Sequence, residues 1–76
     1  MDISIEYCTE WFYLPDAASL QSAIKDKYGI EAKLIEGSGG AFEVRIDGTL
    51  VFSKLKQFRF PEEDEIFAAI DRARSS

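Results

Sequence analysis

Phe42-Glu43-Val44-Arg45-Ile46-Asp47-Gly48-Thr49-Leu50-Val51-Phe52-Ser53 is the stretch that decides the fold. Phe42, Val44 and Ile46 alternate with Glu43 and Arg45, the period-two pattern of a strand with one face buried. Asp47-Gly48 is a preferred pair for a two-residue type I′ hairpin, whose central residues both need positive φ. Residues 49–53 then form a second strand, antiparallel to the first. The turn sets the pairing: Ile46 opposite Thr49, Val44 opposite Val51, Phe42 opposite Ser53. In that register Leu50 and Phe52 point to the solvated face.

On the N-terminal side of the hairpin, Gly37-Ser38-Gly39-Gly40 is a chain break. Before it, Ile30, Ala32 and Leu34 alternate with Glu31 and Lys33 as another strand. Ala17, Leu20, Ala23, Ile24 and Tyr28 follow helical spacing, which predicts a helix over 15–28. Pro15 suits its first turn, Asp16 favours its positive end, and Gly29 suits the C′ position. Ile3, Ile5 and Tyr7 alternate with Asp2, Ser4 and Glu6 as the first strand. On the C-terminal side, residues 54–60 read as a loop. Pro61-Glu62-Glu63-Asp64 opens a last helix with acidic residues at its positive end, and Ile66, Phe67, Ile70 and Ala73 are its apolar stripe.

The order is β-α-β-β-β-α. A right-handed crossover makes strands 1 and 2 parallel, and the hairpin adds strand 3 antiparallel to strand 1. The result is a mixed four-stranded sheet of order 2-1-3-4 in an α/β two-layer sandwich, a thioredoxin-like layout. Both helices cover the face of Ile3, Ile5 and Tyr7, and Ser4, Glu6, Glu43 and Arg45 lie on the wet face. Strands 1, 2 and 4 end, and strand 3 begins, at one edge of the sheet. Cys8, the glycine turn and the 53–59 segment therefore meet there, where ligands of α/β sheets tend to sit. Asp47-Gly48 lies at the opposite edge.

Composition narrows the chemistry. The chain has 76 residues, 46% hydrophobic and 30% charged, the size and balance of one globular domain. Its net charge of −5 disfavours nucleic acid, which rewards basic side chains that neutralise phosphates. No run of residues has the length of a membrane span, and residues 1–6 lack a signal-peptide pattern. There is no histidine and one cysteine, so a metal site and an internal disulfide are not expected. A lone free thiol suits a reducing, cytoplasmic setting.

That thiol, Cys8, stands at the end of the first strand, a few residues before a helix start. Thiol redox chemistry is often built there, because a helix N-terminus favours the thiolate. The position three residues on is Trp11, so no second thiol resolves a disulfide locally. A single thiol still exchanges through mixed disulfides. Against a reactive thiol stand the nearby charge of Glu10 and the lack of a histidine base; the alternative is a small apolar filler.

Tyr7-Cys8-Thr9-Glu10 after a strand resembles the Tyr-Cys-x-x-Cys (or selenocysteine) start of the selenoprotein W-like Rdx family. The stretch 36–44 around the glycine turn, the Asp47-Gly48-Thr49-Leu50-Val51-Phe52-Ser53-Lys54 segment and Arg59-Phe60-Pro61 are similar to that family in the same order. The resemblance implies a thioredoxin-like fold and a thiol oxidoreductase role linked to glutathione as co-substrate, with no bound cofactor. It makes Cys8 the first redox cysteine. Trp11 stands where the second cysteine or selenocysteine would be, and Asp16 where a basic residue is often found.

The expected site is therefore Cys8 as nucleophile, Gly37, Ser38, Gly39 and Gly40 offering backbone amides, and Lys54 and Arg59 as a small basic rim for glutathione carboxylates, with Trp11 alongside. Trp11, Phe12 and Tyr13 read either as cover for the core or as a docking surface, and Leu50 and Phe52 as a second surface for a protein partner. The competing function is a redox-inert interaction module. The redox reading requires the sulfur to be open at this rim.

Overall fold

The computed structural model describes residues 1–75. Seven elements follow in order: β1 (Ile3–Cys8), α1 (Leu14–Tyr28), β2 (Lys33–Gly37), β3 (Phe42–Ile46), β4 (Thr49–Ser53), α2 (Lys54–Gln57) and α3 (Glu63–Ser75). The sheet order is β2-β1-β3-β4, with β1 parallel to β2 and antiparallel to β3. This is the thioredoxin-like α/β arrangement expected from the pattern.

Alternation along β1 builds the core. Ile3, Ile5 and Tyr7 are buried against Ala17, Leu20 and Ile24 of α1 and Ile66, Ala69 and Ile70 of α3, with Phe42, Val44 and Ile46 of β3 beside them. Removing such a surface from water is the main drive for a domain of this size. The Tyr28 hydroxyl ties the helices together: it donates to Asp71 Oδ1 at 2.7 Å and lies 3.1 Å from the Phe67 carbonyl. The other face of the sheet is polar. There Arg45 reaches Glu6 at 3.5 Å and Glu43 at 3.4 Å, and the Ser53 hydroxyl donates to Glu43 at 3.0 Å.

Three expectations need correction. The second strand is Lys33–Gly37, later than the alternation at 30–34 implied. Ala32 and Ile30 still pack on the core, but as the approach to the strand, with the Gln21 amide donating to the Ala32 carbonyl at 2.8 Å. An alternation of apolar side chains thus marked burial correctly and strand hydrogen bonding wrongly.

The hairpin register also differs. Ile46 pairs with Thr49 and Arg45 with Leu50, as the turn dictates, but Val44 then pairs with Phe52 and Glu43 with Ser53. One residue is skipped between Val44 and Arg45, a β-bulge that leaves Val51 unpaired in the register. The bulge turns Phe52 inward, where it is 4% exposed, and sets Val51 outside. Phe52 is therefore not on the wet face, and a Leu50–Phe52 docking surface does not exist in that form. The physical reason is that a large ring gains more from burial than Val51 would.

Third, residues 54–57 form a short helix, α2, where a loop was expected. Its end is closed by Phe58 at φ 59°, whose N–H donates to the Lys54 carbonyl at 2.7 Å. Among the described residues, no helix is long and apolar enough to cross a membrane.

Candidate functional site

Cys8 is the last residue of β1 and is flanked on both sides by backbone. Its Cα partner in β2 is Gly37, and its N–H donates to the Ala41 carbonyl at 2.8 Å. By strand alternation it shares the side of Ser4 and Glu6, apart from the helix-covered core. Gly37 is open for a reason: a Cβ there would stand 2.8 Å from Glu6 Oε2 and 2.9 Å from its Cγ. The Glu6 carboxylate thus lies over Gly37, leaning along the sheet toward the cysteine end. Gly39 and Gly40 take φ of 68° and 77°, conformations that side chains disfavour. So Cys8 and the glycine segment do meet at one edge.

The thiol is not open there. Cys8 is 0% exposed, and the accessible sulfur that the redox reading required is absent from this conformation. The chain beyond β1 turns back across the strand ends. Thr9 N–H donates to the Gly37 carbonyl at 3.4 Å, Phe12 N–H to Thr9 at 3.4 Å, and Tyr13 N–H to the Cys8 carbonyl at 3.3 Å. The start of α1 therefore serves the cysteine's carbonyl. These three bonds, at 3.3–3.4 Å, are longer than the 2.8 Å bond from Cys8 to Ala41.

The expected basic rim is also occupied. Lys54 Nζ sits 5.4 Å from the ring centres of both Tyr13 and Phe60. Arg59 lies 5.2 Å over the Phe52 ring and pairs through both guanidinium nitrogens with Glu65, one bond being 2.9 Å. That hydrogen bond from Arg59 holds the Glu65 carboxyl below the usual carboxylate range, and the Glu62 N–H adds to it. Glu65 in turn accepts from Glu62 N–H at 2.8 Å, so the pair caps the start of α3. Arg59 is thus paired with a carboxylate, while Lys54 rests over rings.

Sequence reasoning underestimated the apolar character of this edge. Trp11 is 64% exposed, Phe12 84% and Phe58 86%, with Leu14 and Leu55 also about half exposed. Of the three aromatic residues after Cys8, Tyr13 alone covers the core, 4.8 Å from Phe60 and 6.5 Å from Phe42 in edge contacts. Phe12 and Phe58 both hold φ near +60°, the left-handed region. Such a conformation costs roughly 1–2 kcal/mol for a residue with a Cβ. A glycine would fit both places better, so two exposed rings are retained in strained positions. A Phe two residues before α1 and another closing a four-residue helix were the sequence signals.

Among the described residues no cluster of three metal-ligating side chains exists. A cleft of about 130 Å³ lies between the starts of α1 and α3, lined by Asp16, Ser19, Leu20, Phe42, Phe60, Pro61 and Glu63.

Comparison with known proteins agrees with this frame. Residues 2–72 match the Rdx family. The chain is 44% identical over 72 residues to Migration and invasion enhancer 1 of Bos taurus, covering 93% of this chain and 63% of that protein. It thus spans less than two thirds of that relative. A crystal structure from Bordetella parapertussis superposes with a TM-score of 0.89 at 25% identity, covering 95% of each chain. That of a selenoprotein W-related protein from Vibrio cholerae superposes at 0.80 with 24% identity, covering 86% of this chain and 85% of the other.

Proposed function

This chain belongs to the Rdx family, a selenoprotein W-like group, and on that basis we propose that it is a thiol-based redox protein acting through Cys8 alone. The observation that supports the reading is the placement of Cys8: at the end of β1, between Gly37 and Ala41, followed by a segment whose hydrogen bonds are 3.3–3.4 Å. Because Cys8 is 0% exposed, exchange at its sulfur requires a local opening. Residues 9–13 move aside, a local opening well below global unfolding in cost. Cys8 then loses its proton to water, and the thiolate attacks one sulfur of a disulfide. A Cys8–S bond forms, the old S–S bond breaks, and the departing thiolate takes up a proton. Cys8 is oxidised to a mixed disulfide and the leaving sulfur is reduced. With Trp11 at the place of a second thiol, an external thiol, glutathione or that of a protein, releases the adduct and restores Cys8.

In this mechanism the 37–40 segment supplies space and backbone beside the sulfur. Gly37 adds no side chain at the point of attack, and Ser38 with Gly39 and Gly40 forms the adjoining wall. Lys54 and Arg59 act indirectly, by fixing the Tyr13–Phe60 contact and the start of α3. The setting is a reducing compartment, consistent with a free thiol.

The test is intact mass after incubation with oxidised glutathione and with a peptide disulfide. One adduct, lost in Cys8→Ser, supports the reading; no adduct with either reagent ends it. The buried sulfur and the exposed Trp11 favour one second reading, a redox-inert interaction module. In that case Cys8→Ser keeps the cellular role and Trp11→Ala removes it.

A further inference from the structure

The rim over Cys8 has a composition that selects among disulfides. We infer that the oxidised substrate is a polypeptide whose cysteine is flanked by apolar and basic side chains, seated on Trp11, Phe12, Leu55 and Phe58 with a basic side chain in the Asp16–Glu63 cleft. This rests on the redox reading of Cys8 and adds the class of partner.

Three independent observations lead there. First, the exposed rings of Phe12 and Phe58 sit on backbone that a glycine would occupy with less strain, Phe12 next in the chain to Tyr13 and Phe58 two residues before Phe60, whose rings join the two loops. Large rings held out into solvent at the mouth of a site are anchors for a protein surface. They offer little to a small, doubly carboxylated tripeptide. Second, Arg59, one of the two cations that would receive such carboxylates, is already paired with Glu65, and the other, Lys54, lies over the Tyr13 and Phe60 rings. Third, the adjoining cleft pairs carboxylates with apolar walls. Asp16 and Glu63 line it with Leu20, Phe42, Phe60 and Pro61. That combination accepts a lysine or arginine, whose aliphatic stem lies on the apolar wall while its charge meets the carboxylates. Glu10 and the Glu62–Asp64 run add negative charge near the same edge. A basic, apolar segment is therefore complementary in both respects, and an anionic partner in neither.

The covalent step is the exchange already described: the Cys8 thiolate bonds to the peptide cysteine's sulfur, and the sulfur formerly joined to it leaves as a thiolate and is protonated.

The experiment compares rates of Cys8 adduct formation for three disulfides: oxidised glutathione, a peptide with Leu, Phe and Arg around its cysteine, and the same peptide with Glu in place of Arg. The apolar, basic peptide is expected to react at least tenfold faster than glutathione and severalfold faster than its Glu version. Phe12→Gly with Phe58→Gly is expected to remove most of that advantage, read as the ratio of the peptide rate to the glutathione rate so that any change in opening cancels, with the melting temperature intact. Asp16→Asn with Glu63→Gln is expected to abolish the preference for Arg over Glu. Equal rates for glutathione and the basic peptide, or a preference untouched by both double variants, overturn the inference while leaving the redox reading standing. Should Cys8 react with none of the three, the redox reading falls. The surface is then judged by Trp11 fluorescence with a Cys-to-Ser version of the peptide, and no binding overturns it too.

Discussion

The two edges of the sheet are built by opposite rules. At the Asp47-Gly48 edge every local demand is met. Asp47 takes φ 50° and Gly48 φ 85°, the conformations that a type I′ turn requires and that these residue types tolerate. The turn is pinned to the N-terminus by two 2.7 Å hydrogen bonds, Asp47 N–H to the Asp2 carbonyl and Asp2 N–H to Asp47 Oδ1. At the Cys8 edge two phenylalanines hold positive φ beside Gly39 and Gly40, the hydrogen bonds after Cys8 stretch to 3.4 Å, and large apolar side chains face water. One edge is spent on stability, while the other retains local strain and exposed rings that folding alone would remove. That contrast is what the proposed site at the Cys8 edge rests on.

Substitutions test the contrast, beginning with the greatest loss. Phe42→Ala should cost about 3–5 kcal/mol, because Phe42 is fully buried and its ring supports both Tyr13 and Phe60. Domains of this size have roughly 4–11 kcal/mol in total, so the variant approaches unfolding in a urea titration. A loss under about 1 kcal/mol would show that the two loops do not rest on the core through this ring.

Gly37→Ala should cost about 1–3 kcal/mol, since the new methyl meets the Glu6 side chain at 2.8–2.9 Å. Adding Glu6→Ala should return much of it, because the clash is with a side chain; simple additivity in the double mutant would refute the close approach. Gly48→Ala should cost about 1 kcal/mol, for its positive φ is needed. Phe12→Gly and Phe58→Gly should run the other way. Relief of roughly 1–2 kcal/mol of strain is offset by glycine's extra freedom of roughly 0.5–1 kcal/mol, so each variant is as stable as the parent or slightly more. Loss at Phe12 and Phe58 comparable with that at Gly48 would erase the contrast between the edges.

The smallest effect lies at the rim's ion pair. Glu65→Gln should cost about 0.2–1 kcal/mol, since the Arg59–Glu65 pair is well exposed. Its pH dependence has a definite sign. The Glu65 carboxyl titrates below its ordinary value when folded, so its contribution is present above the unfolded carboxylate pKa and is lost as pH falls through the lower folded value. In Glu65→Gln that acid-range loss should shrink.

Much of this was legible in the sequence. The alternation at Ile3, Ile5 and Tyr7, the Asp47-Gly48 turn and the Gly29 stop fix a sheet of order 2-1-3-4 and its two covering helices. The meeting of Cys8 with Gly37 followed from that topology. Three things did not follow. A bulge at Val51 is set by competition between two apolar neighbours for one buried place, which alternation cannot rank. The burial of Cys8 depends on how the non-periodic segments around the end of β1 close, and such segments carry no signal of it. The engagement of Lys54 and Arg59 depends on ring and carboxylate partners brought together by the fold.

The central claim is that Cys8 is a closed thiol that opens locally. It is tested most directly by the rate of Cys8 alkylation in native buffer, compared with the unfolded chain and with the global unfolding equilibrium measured in urea. The account predicts labelling slower than in the unfolded chain yet far faster than the global unfolded fraction allows, with little dependence on low urea. Labelling that tracks global unfolding alone, at every urea concentration, would contradict it.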